Sequence, residues 1–301
     1  MCSSDLGKRT GLEAHIRPYR NGRDLMQHSR GVWVIDLFGL SEVEVQDRFP
    51  EVYDHVHAQV KTSRRNEKTG EMEGRDLNNR ASYKRNWWIF GEPRGDLRPA
   101  LAGLPRYIAT VETAKHRVFQ FLDAAILPDN MLVVVGSDDA FHLGVLSSGS
   151  HLAWCAKAGG TLEDRPRYNK SLCFDPFPFP DASAKQHTVI SDIAERLDRH
   201  RAQALAETPG LTMTEIYNLR DIVAKGTALT RDQRDRAALA RARIIGELHH
   251  QLDAAVADAY GWAADLAPSE IVARLVTLNT QRAAEEATGN IAYLRPDYQN
   301  R

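Results

Sequence analysis

A block rich in phenylalanine and proline divides this chain and constrains its fold more than any other stretch. It runs from Phe174 to Pro180 and has proline at every second position from Pro176. Because proline has no backbone N–H, this block cannot belong to a central strand, and we expect it to pack the end of one domain against the helices that follow. Strand and helix patterns alternate before the block, whereas Ala, Arg, Leu and Glu dominate after it. We therefore predict an α/β (α+β) domain followed by an all-helical domain.

The length and net charge of the chain limit the number of its domains and the extent of any basic surface. A chain of 301 residues fits two domains, which we place at residues 15–180 and 181–301. Residues 1–14 lack the apolar core of a signal peptide and join abruptly onto the first domain, which indicates the end of an upstream linker or a joint left by cloning. The net charge of -1 gives no global attraction to nucleic acid, so any basic surface must be local.

The cysteines and the hydropathy pattern bear on the compartment. The three cysteines form no CxxC pair, which argues against structural zinc or a disulfide framework and favours a reducing cytoplasm. No apolar run approaches the ~20 residues that a membrane-spanning helix needs. We therefore expect a cytoplasmic protein with no membrane partner.

The first domain has several clear local signals. Ser41 and Glu44 form a capping box for a helix that Pro50 breaks or restarts. Asp138 or Asp139 is expected to cap a helix over 140–146, and a second helix is expected to end at Gly159-Gly160 with His151 and Trp154 as scaffold residues. Apolar runs predict strands, the first of them largely buried, over Val32–Phe38, Pro105–Val111, Arg117–Leu122 and Met131–Val135.

Four helices are predicted after the Phe–Pro block. The first runs from about His187 to Glu207, and the second is capped by Thr212 or Thr214 and stopped by Gly226. A long third helix is capped by Thr230 and reaches about Tyr260, with one buried stripe. That stripe consists of Ile244, Leu248, Leu252 and Val256. The fourth helix is capped by Ser269 after Pro268 and stopped by Gly289.

The stretch from Lys61 to Arg98, called the basic loop below, is the most cationic part of the chain. It holds ten Lys or Arg against six Asp or Glu, together with Gly70, Gly74 and an Asn pair. We interpret it as a long, mobile loop around the short element Asn86–Phe90. Clustered cations suit contacts to DNA phosphates, although each taken alone is more often a solvated surface charge. The candidate phosphate-binding residues, including three from strand ends outside the loop, are Arg80, Lys84, Arg85, Arg106, Lys115 and Arg117.

The segment after Gly159-Gly160 has a different character. Pro166 disfavours a helical Arg165 and pushes it towards an extended conformation. Side chains two apart on an extended segment share a face, so Glu163, Arg165 and Arg167 are expected to point the same way. Arginine suits guanine and glutamate suits the cytosine amino group, which makes the three candidate base-reading residues. The alternative is a salt-bridged surface strand.

Common catalytic and metal-binding motifs are missing from the sequence. There is no GxGxxG, P-loop, HExxH or GxSxG pattern. His249 and His250 are adjacent and so cannot share a helix face as metal ligands. Asp175-Pro176-Phe177-Pro178 lacks the second adjacent proline and the final aromatic residue of the Asn/Asp-Pro-Pro-Tyr motif of amino-methyltransferases. We predict no catalytic residue, no metal site and no cofactor within this chain.

A series of short motifs in one order resembles a known family. The chain is similar, over about residues 15–301, to the target recognition and C-terminal helical region of MmeI-like type II restriction–modification enzymes and related class I adenine-specific DNA methyltransferases. In the first domain the resemblance rests on Trp33-Val34-Ile35-Asp36, Asn86-Trp87-Trp88, Arg106-Tyr107-Ile108, Lys115-His116-Arg117, Asp138-Asp139-Ala140, Leu143–Ser148, Arg167-Tyr168 and the Phe–Pro block. In the second it rests on Leu252-Asp253, Ala259–Trp262, Leu278-Asn279, Glu285-Glu286 and Leu294-Arg295-Pro296.

The resemblance implies sequence-specific recognition of double-stranded DNA for methylation of adenine N6, with restriction as an option. In that family the nuclease and the S-adenosylmethionine-dependent methyltransferase domains lie upstream in the same polypeptide, so both S-adenosylmethionine and Mg2+ are expected there. The family also implies base contacts from the segment after the glycine turn, which corresponds to Glu163, Arg165 and Arg167. Two alternatives remain: a helical interaction or assembly subunit with no DNA-reading role, and a self-contained nuclease, which the missing carboxylate–lysine cluster disfavours.

Overall fold

The computed structural model of the chain describes residues 10–162 and 165–299. These residues form two compact units. The first contains the described residues up to Tyr19 and Gly31–Pro99, and the second contains Arg20–Arg30 and the residues from Ala100 onward. Small sheets mixed with helices precede the Phe–Pro block and helices follow it, which confirms the predicted fold class. The domain limits inferred from composition stay a prediction.

The regular elements are short before the Phe–Pro block and long after it. The strands are β1 (Ile16–Arg20), β2 (Trp33–Ile35), β3 (Arg64–Arg65), β4 (Met72–Glu73), β5 (Arg106–Val111), β6 (Gln120–Asp123), β7 (Leu127–Pro128), β8 (Leu132–Val135), β9 (Thr161–Leu162) and β10 (Arg165–Pro166). The α-helices of the first part are α1 (Gly22–Met26), α2 (Glu42–Arg48), α3 (Pro50–Val56), α4 (Ala81–Arg85), α5 (Leu97–Leu101), α6 (Ala140–Ser147) and α7 (Gly149–Ala158). Those of the second part are α8 (Ala184–Glu207), α9 (Met213–Ala224), α10 (Arg231–Leu239), α11 (Ala242–Ala259), α12 (Pro268–Ala287) and α13 (Pro296–Gln299).

The first unit has a small core of its own. The predicted capping box is confirmed, since the Ser41 hydroxyl accepts from the Glu44 amide and the Glu44 carboxylate accepts from the Ser41 amide. Helix α3 begins at Pro50, where proline costs no hydrogen bond. The buried side chains of this core are Leu12, Leu37, Val45, Phe49, Val52, Val56 and Trp87. The predicted buried strand over 32–38 is wrong in extent and burial, because only Trp33–Ile35 is a strand and the Trp33 side chain is 61% exposed.

The basic loop contains more regular structure than its composition predicted. Strands β3 and β4 pair antiparallel, with Arg64 opposite Glu73 and their side chains in an ion pair of 2.7 Å. Helix α4 ends at Arg85, and Trp87 then enters the core of the first unit, where its indole N–H donates to Glu42 Oε1 at 3.1 Å. This stretch therefore carries its charged side chains at the surface and is anchored to the core by the buried Trp87.

In the second unit a three-stranded antiparallel sheet has the order β6–β5–β8. Its central strand β5 is buried over 107–111, which agrees with the apolar run that predicted it. Asp139 caps α6 by accepting from the Phe141 amide at 2.8 Å, which confirms one of the two predicted caps. Helix α7 ends at Gly159, also as predicted.

The helices that follow agree with prediction except at two points. Thr212 and Thr230 both act as caps, but the long third helix is interrupted at Arg241, which takes a left-handed conformation with φ 52°. Of the predicted buried stripe, Leu248, Leu252 and Val256 are buried as predicted, whereas Ile244 is exposed and Ile245 is buried in its place. The predicted Ser269 cap is also wrong, because α12 begins at Pro268 without a side-chain cap.

Candidate nucleic-acid interface

The segment from Arg165 to Arg167, called the recognition strand below after the role predicted for it, is extended, as Pro166 predicted. Arg165 pairs with Leu162 in an antiparallel arrangement, and Arg167 forms an isolated antiparallel bridge with Thr113. The third candidate base-reading residue, Glu163, lies outside the described residues. The structure thus brings the recognition strand beside the end of β5, a contact between segments far apart in the chain.

The two glycines before the recognition strand allow this close approach. A Cβ atom on Gly159 would lie 2.2 Å from the Arg167 carbonyl oxygen, so any side chain there would push the strand away. Gly160 has φ +66°, in the left-handed region that glycine adopts without strain, and its carbonyl accepts from the Arg167 amide at 3.2 Å. The pair therefore ends a helix and also anchors the strand.

The Arg167 side chain is held at the surface by an acidic residue. Its Nε donates to Glu112 Oε1 at 2.6 Å, and its Nη2 lies 2.5 Å from the same oxygen. The Arg167 side chain is 48% exposed, and its Nη1 has no partner among the described residues. One edge of the guanidinium is thus paired with Glu112, while the other edge meets no acceptor in the described part of the chain.

A buried cluster of Tyr168, His151 and Phe119, called the platform below, packs directly after the recognition strand in the core. Tyr168 is buried, and its hydroxyl lies 3.1 Å from His151 Nε2 while its ring meets Phe119 edge-on at 5.3 Å. Burial, followed by the nearby charge of Arg117, lowers the pKa of His151 to about 3, so this histidine is neutral near pH 7. The scaffold role predicted for His151 and Trp154 is confirmed, since both are buried.

Arg117, one of the candidate phosphate-binding residues, is engaged inside the second unit. Its guanidinium lies 5.1 Å from the centre of the Tyr168 ring. Its terminal nitrogens donate to the Thr110 hydroxyl and to the carbonyl oxygens of Val111, Glu112 and Pro166. Arg117 must give up these bonds before it can bind a phosphate, so in this structure it fastens the recognition strand to β5.

Arg106 is also used internally. It forms an ion pair with Glu195 on α8, donates to the Asp138 carbonyl at 3.0 Å and lies 3.6 Å from the centre of the Phe121 ring. The hydrogen bond to Glu195 raises the pKa of the Arg106 guanidinium further above its usual value. This side chain braces the sheet against the helical part.

Lys115 keeps its charge available. Its ammonium group donates to the Asn218 side-chain oxygen at 2.7 Å, and the same oxygen lies 2.8 Å from His116 Nε2. A neutral amide leaves the lysine charge uncompensated, and the residue is exposed. Of the three strand-end candidates, Lys115 is therefore the one best placed for a phosphate.

The three candidates of the basic loop lie at the surface of the first unit. Arg80 is 64% exposed and pairs with Glu92 at 3.1 Å. Lys84 and Arg85, in the last turn of α4, are exposed and make no ion pair with any residue of the described part of the chain. Phosphate contact by these residues stays a prediction, and their exposure is compatible with it.

A groove next to the recognition strand was missed from the sequence. It has a volume of about 700 Å3, and its lining includes Thr113, Lys115, Arg23 and Gln27. The Thr113 hydroxyl has no hydrogen-bond partner among the described residues. The Asn21-x-x-Asp24 capping box that starts α1, whose residues line this groove, is the sequence signal that could have located part of it.

The Phe–Pro block packs against the helical part, as predicted. Its carbonyl oxygens act as acceptors: Pro178 receives the Tyr260 hydroxyl at 2.8 Å, and Pro176 receives the Asn279 amide at 2.5 Å. The prolines lack donors, so only their carbonyls need partners, and the helices supply them.

The described residues contain neither a cluster of metal ligands nor a helix that could span a membrane. Within residues 10–162 and 165–299, no three His, Cys, Asp or Glu side chains are grouped so that they could hold a metal ion. None of the described helices combines the length and apolar character that crossing a membrane requires.

Comparisons with known proteins agree with the resemblance seen in the motifs. Residues 6–181 match the family model described as "MmeI, target recognition domain". A 90-residue stretch is 33% identical to DNA methyltransferase A of Bacillus subtilis (strain 168), and covers 30% of this chain and 10% of that protein.

Among solved structures, the fold is similar to a type IIL restriction–modification enzyme, MmeI, in complex with DNA. The TM-score is 0.61 at 18% identity, and the match covers 93% of this chain and 33% of the MmeI chain. This chain therefore corresponds to about a third of the MmeI structure, and the shared fold extends through the helical part.

Proposed function

The chain belongs to the family of MmeI target recognition domains, and on this premise we propose that it is the part of an adenine-N6 DNA methyltransferase that reads a double-stranded DNA sequence. The DNA-bound relative of the same fold and the methyltransferase relative both support this proposal. The observation that carries it is the recognition strand, which offers the exposed guanidinium of Arg167 on a backbone fixed by Thr113 and the two glycines.

The proposed base readers are Glu163, Arg165 and Arg167. Arginine donates two parallel N–H groups to guanine O6 and N7, whereas glutamate accepts from the cytosine amino group. Glu163 and Arg165 would in this way read the two bases of one C·G pair. The extended backbone of Arg165 suits this role, because alternate residues of an extended segment project from the same side.

Phosphate contacts would give affinity and register. The exposed cations Arg80, Lys84 and Arg85 of the basic loop are proposed for this role, together with Lys115 beside the groove. Contacts of this kind position a protein on a duplex without reading its sequence. Arg106 and Arg117 remain candidates, but they would first have to exchange internal acceptors for phosphate oxygens.

The chemistry is proposed to lie elsewhere in a longer polypeptide. S-adenosylmethionine supplies the methyl group in adenine methylation, and Mg2+ would serve any linked cleavage. No group of metal-ligating side chains is present among the described residues that would suit Mg2+. We place both cofactors in upstream methyltransferase and nuclease domains, and the whole protein in the cytoplasm, as the family resemblance implies.

The first experiment measures binding of the purified 301-residue chain to random duplex DNA over a salt series. We expect log Kobs to fall with log salt concentration by about 0.9 for each phosphate contact. The same chain should also enrich a defined sequence from a randomised duplex library. A chain that binds no duplex, or binds without any sequence preference, would contradict the proposal and favour a helical assembly subunit.

A second experiment tests the base readers. The double variant Glu163→Lys/Arg165→Asp exchanges the hydrogen-bonding pattern of the pair and should change the enriched sequence at one base pair. Affinity for random duplex should remain, because phosphate contacts are untouched. An unchanged sequence preference would remove these two residues from the readout.

A further inference from the structure

At the proposed interface, the Glu112 carboxylate binds one edge of the Arg167 guanidinium. Glu112 Oε1 is within hydrogen-bonding distance of both Arg167 Nε, at 2.6 Å, and Arg167 Nη2, at 2.5 Å. The Glu112 side chain is 21% exposed and the Arg167 side chain 48% exposed. Neither residue is within fifty positions of the other in the chain, so the fold itself creates the pair.

The backbones of Glu112 and Arg167 are both held by hydrogen bonds to neighbouring segments. The Glu112 amide donates to the Met131 carbonyl at 2.9 Å, and the Glu112 carbonyl accepts from the Tyr168 amide at 2.7 Å. Arg117 donates to that same carbonyl at 3.2 Å. Arg167 is bridged to the neighbouring Thr113. An ordinary surface ion pair loses most of its benefit to the entropy of two long side chains, whereas here both backbones are fixed.

The geometry leaves one edge of Arg167 for a base. A guanidinium has five N–H groups in a rigid plane, and Glu112 takes the side formed by Nε and Nη2. The end formed by Nη1 and the second N–H of Nη2 has no partner among the described residues. That end presents two parallel donors, the arrangement that matches guanine O6 and N7.

The carboxylate also decides what Arg167 prefers to bind. An unheld arginine beside DNA can turn to a phosphate, which attracts its charge from any direction. Glu112 balances that charge locally and repels phosphate oxygens, while the directional donors of the guanidinium are kept. We propose, on the basis of the proposed DNA-reading function, that Glu112 is a positioning residue that makes Arg167 a reader of guanine rather than a phosphate contact.

The test compares base enrichment from a randomised duplex library by the 301-residue chain and by its Glu112→Gln variant. Glutamine keeps an acceptor oxygen and the shape but removes the charge. We expect about tenfold weaker preference for guanine at one position, at the lower end of what a bidentate arginine–guanine pair provides. Preference at other positions should be kept, and affinity for random duplex should stay equal or rise.

Two further variants make the signature specific. Arg167→Lys keeps the charge but loses the fork, so it should weaken the same position as Glu112→Gln, and the double variant should add little to either. Glu270→Gln is the control, because Glu270 on α12 pairs at 2.6 Å with Arg274, an arginine about as exposed as Arg167. It should leave every position unchanged.

A measurement without DNA checks the pair itself. The Arg167 Nε–Hε resonance, assigned by its loss in Arg167→Lys, should shift and exchange faster with water in Glu112→Gln. An identical resonance in the two proteins would overturn the inference.

Selection outcomes separate the two proposals. If the wild-type chain selects a sequence and Glu112→Gln selects it equally well at every position, the inference fails while the DNA-reading function stands. If the wild-type chain selects no sequence, the proposed function fails and the inference falls with it.

Discussion

Two sets of cations in this chain look alike in the sequence and differ in the structure. In the second unit, Arg106 and Arg117 are surrounded by acceptors from their own unit, most of them backbone carbonyl oxygens. In the basic loop, Arg80 is 64% exposed, and Lys84 and Arg85 meet no acidic partner among the described residues. The first set stabilises its own unit, whereas Lys84 and Arg85 of the second set are available to contact a ligand.

The difference shows that a cluster of cations gives no information about its acceptors. A guanidinium with five donors can satisfy several carbonyls at once, and this suits it to fasten irregular strands. An ammonium group or an arginine at the end of a short helix has no such neighbours. The comparison therefore predicts opposite effects on stability and on DNA binding for substitutions in the two sets.

The largest effect is expected for Arg117→Met. The variant keeps much of the side-chain volume but leaves the carbonyls of Val111 and Pro166 without this donor. Because unsatisfied polar groups are costly, the free energy of unfolding should fall by about 3 kcal/mol. Urea denaturation followed by circular dichroism measures it.

The control for this prediction is Arg117→Lys, which retains charge without the fork. If charge alone mattered, lysine would restore stability, whereas geometry predicts only partial recovery. A change below about 0.5 kcal/mol in Arg117→Met, as for an ordinary surface residue, would place Arg117 with the exposed cations, and the two sets would no longer differ.

The second effect concerns the platform beneath the recognition strand and depends on pH. Burial lowers the pKa of His151 from 6.5 to about 3, so below pH 6.5 the unfolded chain binds a proton that the folded chain does not. Stability from this residue is complete above pH 6.5 and is lost as pH falls towards 3. Between pH 7 and pH 5 the loss should be about 2 kcal/mol.

The variant His151→Gln removes this titration while keeping a polar side chain for Tyr168. Its stability at pH 7 should be lower, but its dependence on pH between 7 and 5 should be shallower than that of the wild type. Burial also lowers the pKa values of His142 and His249, so some dependence will remain. Parallel stability–pH curves for the two proteins would show that His151 does not titrate in this way.

Local chemistry explains what the sequence could predict. Pro166 predicted the extended conformation of Arg165, and an apolar run predicted β5. Ser41 and Thr212 were predicted as the N-caps of helices and act as such. Each of these signals acts within a few residues. The helical part was predicted for the same reason, because its caps and stripes repeat along the chain.

Contacts between distant segments explain what it could not. Glu112 carries no local signal, yet it meets Arg167 fifty-five positions later. The acceptors of Arg117 come from residues on both sides of α6 and α7. Arg241 breaks a helix without glycine or proline, and Trp33 is exposed in an apolar run. In each case tertiary packing decides, and a single sequence does not record it.

The smallest effect on stability, and the most informative one on binding, is expected for Lys84→Ala/Arg85→Ala. Both side chains are exposed at the end of α4, so unfolding free energy should change by no more than about 0.5 kcal/mol. The slope of log Kobs against log salt should become shallower by about 2, one for each lost phosphate contact, while the enriched sequence stays the same.

The matched control is Lys185→Ala/Lys225→Ala, which removes two exposed lysines from the helical part. An equal change of slope in both double variants would mean that net charge alone governs binding, and an unchanged slope in the first would mean that the basic loop does not touch DNA. Only a change confined to Lys84 and Arg85 supports the proposed division of roles, in which exposed cations hold the duplex and the internal Arg117 holds the strand proposed to read it.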